Sequence, residues 1–127
     1  MNINTHHKID PAICGQPVLV EKDRCVVELT TTENMTADES GLVHGGFIFG
    51  LADYAAMIAV NHPNVVLGGS EVKFLKPVVL KDKVVATARI EAVEGKKRIV
   101  GVKIKRDDDI VFEGKFTCFV LPEHILS

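Results

Sequence analysis

The spacing of apolar residues changes along the chain and predicts one helix set among strands. Residues 18–32 alternate and are rich in β-branched side chains, with a polar interruption at 21–23, which predicts two short strands joined by a turn. Residues 47–60 are almost continuously apolar and favour Ala, Leu, Met and Phe over β-branched residues, so they favour a helix. The sequence Asn-His-Pro-Asn at 61–64 predicts where that helix ends.

After this helix, the apolar residues recur at every second position. Turn-forming residues at 94–96 and 107–109 divide this half of the chain and predict hairpins. We therefore expect three or four long strands in an antiparallel meander. The segments that alternate are 72–74, 84–90, 100–104 and 110–120.

The predicted helix is apolar on all sides, so it has to be enclosed by the rest of the protein. A strongly curved antiparallel sheet wrapped around it would bury the apolar faces of helix and strands together. The prediction is an α+β architecture of five to six strands around one central helix. It occupies residues 16–127 as a single domain, and residues 1–15 form an N-terminal arm whose first ten residues are expected to be loose.

Composition and charge exclude several classes of protein. The chain has 127 residues, of which 46% are hydrophobic and 25% charged, so one packed domain is expected and disorder is not. A net charge of -2 gives no overall attraction to nucleic acid or to an anionic membrane surface. No apolar stretch approaches the roughly 20 residues of a membrane span, and the N-terminus does not resemble a signal peptide, so we expect a cytoplasmic protein.

Cysteine and histidine spacing gives no sign of a disulfide framework or of a metal site. The three cysteines, Cys14, Cys25 and Cys118, are odd in number and far apart, so they are interpreted as reduced thiols. The five histidines do not combine with them at any ligand spacing. No metal and no cofactor are predicted.

Asp53 is the one acidic or basic residue within the apolar helix. A carboxylate is buried only when it is paired or when it opens onto a pocket where it has a use. Gly45 and Gly46 stand at the predicted start of the same helix, where free N–H groups and the helix dipole can polarise a carbonyl. Together these residues suit attack on a carbonyl carbon.

The distance between these residues predicts a dimer. Gly45 and Asp53 are eight residues apart, or roughly 12 Å along a helix, whereas reacting groups come within about 3.5 Å of their target. Two chains with antiparallel helices would bring Gly45 of one near Asp53 of the other. His44 is too far from Asp53 for a dyad within one chain, so we expect it to shape the turn before the helix.

Residues 43–53, with His44-Gly45-Gly46 followed by Asp53, resemble the signature of hot-dog-fold acyl-CoA thioesterases of the phenylacetate-pathway type. Residues 72–77 are also similar to that family. The resemblance implies a hot-dog fold that dimerises edge to edge, and an acyl-CoA thioester as substrate, with CoA present only as part of it. Asp53 would be the nucleophile or the general base, and the Gly45 N–H of the neighbouring subunit would polarise the thioester carbonyl.

The resemblance also implies the residues that bind substrate. Where many members of that family have Asn or Gln before the His, this chain has Asp38. His44, Gly46, Ser70 and Phe74 are the other expected substrate contacts. Small residues in the helix favour a short or medium acyl group, with an aryl-acyl group as a variant. The expected assembly is a homodimer, with pairing into a tetramer left open.

A second hypothesis belongs to a different functional class. Residues 70–79 and 84–120 also resemble the ligand-binding hot-dog domain of the malonyl-CoA-responsive repressor of fatty-acid synthesis. That domain binds acyl thioesters without cleaving them. The chain would then be an acyl-CoA sensor or carrier. Asp53 separates the two hypotheses, because the binding-only domain lacks a carboxylate at that position.

Overall fold

The computed structural model describes residues 1–127 and contains a curved six-stranded antiparallel sheet around one long helix. The α+β hot-dog architecture predicted above is confirmed. The alternation of apolar residues produces the strands, since their inward-facing side chains form one core with the helix. The strands are β1 (Gln16–Glu21), β2 (Arg24–Thr30), β3 (Val65–Phe74), β4 (Lys83–Glu94), β5 (Lys97–Arg106) and β6 (Asp109–Val120).

The strand order corrects the predicted meander. The order across the sheet is β1-β2-β4-β5-β6-β3, so only β4, β5 and β6 form a meander. Strand β3 crosses over to the far edge and pairs with β6, with Phe74 opposite Phe112. Local alternation does not reveal this crossover, because it identifies the buried face of a strand and not its neighbours. β3 is therefore an edge strand whose outer backbone groups have no partner within the chain.

The long helix α2 spans Gly45–Val60, close to its predicted bounds. His44 is its N-cap residue, and Asn61 ends it in the left-handed conformation with a φ of 52°. Most of the helix is buried in the core, including Leu51, Ala55 and Ile58. Neither helix of the chain has the length and apolar character that crossing a membrane requires.

The N-terminal arm is not loose, which corrects the expectation for its first ten residues. The Asn61 side chain accepts a hydrogen bond from the Asn4 N–H at 2.7 Å and donates one to the Asn2 carbonyl at 2.7 Å. The arm then forms α1 (Pro11–Cys14), and Gly15 follows with a φ of 104°. A Cβ at Gly15 would lie 2.8 Å from Leu51 on α2, so the arm crosses the helix in close contact. The sheet and the arm together cover most of the helix.

Candidate active site

Asp53 lies on α2, about two turns from its N-terminus, and is half-buried. No hydrogen bond or salt bridge joins its carboxylate to another group of the chain. Burial therefore disfavours the ionised form without compensation and raises the pKa of Asp53 above its ordinary value. A raised pKa makes this carboxylate a stronger base than an exposed aspartate, which favours a role as general base.

The part of α2 that carries Asp53 is not enclosed by its own chain. Gly46, Gly50 and Asp53 follow the i, i+4, i+7 spacing that places residues on one stripe of a helix. Gly46 is exposed, Gly50 and Asp53 are half-buried, and no atom lies within 4 Å of where a Gly50 Cβ would be. This open stripe corrects the inference that α2 is enclosed on all sides. A second helix could approach Asp53 closely along it.

The N-terminus of α2 presents free donors. The N–H groups of Gly45 and Gly46 make no hydrogen bond within the chain, and His44 makes no side-chain cap. The exposed His44 ring lies beside Gly46, 3.1 Å from where a Gly46 Cβ would be. These N–H groups point out of the positive end of the helix dipole, which favours developing negative charge on a carbonyl oxygen.

Gly45 opens onto a pocket of about 320 Å³. Phe74, an expected substrate contact, forms one wall and lies directly against Gly45. Its Cε1 atom is 3.2 Å from where a Gly45 Cβ would be, so only glycine leaves this space free. The pocket is lined by Val43, Gly45, Ile48, Phe74, Leu75, Lys76, Pro77, Val78 and Val111.

Asp53 does not line this pocket. The helix rise of 1.5 Å per residue places Gly45 and Asp53 roughly 12 Å apart on one chain. One chain therefore cannot present both groups to one thioester carbon. The geometry agrees with the argument for a composite site, in which Asp53 meets Gly45 of a second copy.

Two further predicted residues, Asp38 and Ser70, lie on other elements of the chain than Asp53. Asp38 is exposed in a turn, where it accepts hydrogen bonds from the Ser40 hydroxyl and from the Ser40 N–H. These bonds lower the pKa of Asp38. Ser70 is exposed on β3, opposite Phe116 of β6. No hydrogen bond joins Asp38 or Ser70 to Asp53 or Gly45, so their part in substrate binding stays a prediction.

The structure adds neighbours that sequence reasoning did not place at the site. Burial and the Asp53 carboxylate raise the pKa of Cys14, and the same two causes raise the pKa of Cys118 to about 12. Both thiols thus stay protonated beside Asp53. Lys76 and Val111 join the Gly45 pocket from a loop and from β6. No local pattern marks these residues, since separate elements bring them together.

Replacing Asp53 by asparagine is expected to raise the Tm at pH 7. Because burial raises the pKa of Asp53, the folded protein binds its proton more tightly than the unfolded chain does. The resulting stabilisation is complete below the ordinary aspartate pKa of about 4 and is lost as the pH rises through the raised pKa. The amide of the variant does not ionise, so its Tm advantage should disappear near about pH 3. Thermal unfolding of both proteins across this pH range measures the Tm difference. Equal Tm values at pH 7 would contradict the prediction.

Comparisons with known proteins place this geometry in a family context. A family model described as the thioesterase superfamily matches residues 40–113, which include Asp53 and the start of α2. Two curated relatives match most of the chain. A methylthioribose-1-phosphate isomerase of Aquifex aeolicus is 52% identical over 95% of this chain and 27% of its own length. Transcription factor FapR of Caldanaerobacter subterraneus is 34% identical over 76% of this chain and 48% of its own length.

The chain thus spans about a quarter to a half of these curated relatives. Among solved structures, an uncharacterized protein of Pyrococcus horikoshii, PH1136, is similar over the whole chain and over 98% of its own, with 52% identity and a TM-score of 0.98. A Streptococcus mutans protein bound to acetyl CoA is similar over 95% of this chain and 99% of its own, at 23% identity with a TM-score of 0.82. The comparison with the Streptococcus mutans protein shows a common fold.

Proposed function

The chain belongs to the thioesterase superfamily, and on that premise we propose that it is an acyl-CoA thioesterase acting on short or medium acyl groups, aryl-acyl groups included. The observation that carries the proposal is Asp53, a half-buried carboxylate without a partner on the open stripe of α2. The free Gly45 N–H at the positive end of that helix supplies the second element of carbonyl chemistry.

The proposed reaction uses a site made by two copies of the chain. Asp53 of one subunit accepts a proton from water, and the hydroxide that forms attacks the carbonyl carbon of the thioester. The Gly45 N–H of the other subunit stabilises the negative charge on the carbonyl oxygen. When the tetrahedral intermediate collapses, the carbon–sulfur bond breaks and the CoA sulfur takes the proton from Asp53. The products are the free acid and CoA.

The edge strand β3 supports the dimer that this reaction requires. Its ten residues expose unpaired backbone groups at the border of the sheet, next to β6. Pairing of two such edges would remove both exposed borders, which natural proteins otherwise protect. The proposed assembly is an edge-to-edge homodimer, with its helices antiparallel along the open stripe of Gly46, Gly50 and Asp53.

Release of free thiol tests the enzymatic proposal directly. Purified protein incubated with acyl-CoA thioesters of increasing chain length should produce free CoA thiol well above the rate in buffer. The matched control is Asp108→Asn, which changes a carboxylate at an exposed turn and should leave the rate unchanged. Binding of acyl-CoA without any thiol release across the panel would overturn the proposal.

The second candidate is binding of acyl-CoA without hydrolysis. It is supported by the 34% identity to transcription factor FapR over 76% of this chain. The matched segment is about half of a transcription factor, so a similar sequence forms part of a regulatory protein there. Calorimetric titration with acyl-CoA, combined with the thiol assay, separates the two candidates, because only the enzyme consumes the ligand during the titration.

A further inference from the structure

The Gly45 pocket has a buried apolar floor and an exposed rim. Val43, Ile48 and Val111 form part of the floor, with exposures of 6%, 3% and 1%. Phe74 and Leu75 form the rim and are 55% and 45% exposed. The pocket is thus a hollow with a buried base and an exposed mouth, and Gly45 forms part of its lining. A thioester whose carbonyl oxygen is bound at the Gly45 N–H could place its acyl group in this hollow.

The lining selects an apolar occupant. Lys76 is the only charged side chain in it, and its Nζ already lies 2.8 Å from the Asp109 carboxylate. The pantetheine arm of CoA carries two amide groups, and burying an amide without a hydrogen-bond partner is unfavourable. An acyl chain has no such requirement beyond its carbonyl, which the Gly45 N–H would meet.

Phe74 occupies the position that limits how far such a chain extends. Its ring contacts Gly45 on one side and packs edge to face against Phe112 on the other, with ring centroids 5.1 Å apart. Phe112 is fully buried and holds this arrangement, whereas Phe74, the last residue of β3, is more than half exposed in the single chain. A smaller residue at position 74 would join the hollow to the space above the rim.

We propose that this pocket receives the acyl group of the thioester and that Phe74 sets the length of acyl chain that fits. The inference rests on the proposed function and specifies its substrate as a short, uncharged, apolar acyl group. The volume of about 320 Å³ agrees, because it lies at the lower end of the range for ligand pockets, about 300 to 1,000 Å³. Phe74 is thereby a specificity-determining residue.

Two substitutions of opposite size test this inference. Phe74→Ala should move the best substrate to longer chains and raise kcat/KM for those chains about tenfold relative to the shortest one. Phe74→Trp should move it to shorter chains. Val93→Ala removes a comparably exposed apolar side chain on β4, outside the pocket, and should leave the order of substrates unchanged. The readout is kcat/KM over a panel of saturated acyl-CoA thioesters, with free CoA as a competitor.

The outcomes separate failure of this inference from failure of the proposed function. If the unmodified protein hydrolyses the panel and both Phe74 variants keep its order of preference, the inference is wrong and the proposed function stands. If the unmodified protein hydrolyses nothing, the same panel is measured as Kd by calorimetry. A shift of the preferred chain length in the two Phe74 variants then supports the acyl pocket, and an unchanged preference overturns it.

Discussion

Asp53→Asn is expected to reduce kcat for the preferred acyl-CoA by about 10³-fold, within the range for loss of a general base. The amide keeps the size and much of the polarity of the carboxylate but cannot accept the proton. The KM should change little, because the acyl group and its carbonyl are held by the pocket and the Gly45 N–H of the other subunit, which the substitution leaves intact. Thiol release measures the loss, and calorimetry verifies that the variant still binds substrate.

The matched control for this loss is Asp108→Asn, which alters an exposed carboxylate in the turn between β5 and β6. It should retain the full rate. A single turnover in water labelled with a heavy oxygen isotope tests whether Asp53 acts as a nucleophile. The measurement is incorporation of the isotope into the Asp53 carboxylate. Heavy oxygen in Asp53 itself would show attack by the carboxylate and hydrolysis of the resulting anhydride at the Asp53 carbon, whereas attack by water on the thioester leaves Asp53 unlabelled. Full activity of Asp53→Asn would remove the basis of the proposed chemistry.

Gly45→Pro is expected to lower kcat by about 10² to 10³-fold, the usual result of removing one oxyanion donor. Proline has no N–H but is well tolerated at the first position of a helix, where Gly45 lies. His44 already has the extended conformation that a following proline prefers, with φ of -65° and ψ of 131°. The substitution therefore removes the donor and retains the helix.

Gly45→Ala is the control, because it adds a Cβ against Phe74 as proline does but keeps the N–H. The decrease in kcat of Gly45→Ala should stay within about tenfold. Mixing the inactive Gly45→Pro and Asp53→Asn proteins under conditions of subunit exchange tests the composite site. Half of the dimers would be mixed, and each would hold one intact site, so about one quarter of the activity should return. No recovery in verified mixed dimers would contradict a site shared between the two subunits.

The sequence predicted those features that depend on neighbouring residues. The continuous apolar run predicted α2 to within two residues, and the single carboxylate inside it drew attention to Asp53. The Glu94 to Lys97 hairpin was likewise evident from a local turn. In each case the information lies within a few residues, where helix capping and turn preferences act.

Features that depend on distant parts of the chain were not predictable in this way. β3 pairs with β6 rather than β4, and Asn61 binds the backbone of Asn2 and Asn4 at the other end of the chain. The Gly45 pocket combines a helix start, a loop and Val111 of β6. Their common cause is tertiary packing, and periodicity contains no information about which surfaces meet.

The strand order also constrains how the protein is made. β3 leaves the ribosome before β4, β5 and β6, yet its partner is β6, which ends at Val120. The apolar α2 helix and the unpaired strand β3 therefore stay uncovered until β6 has been synthesised. Such exposure during synthesis promotes aggregation. Truncations that remove β6 should consequently yield insoluble chains rather than partly active ones.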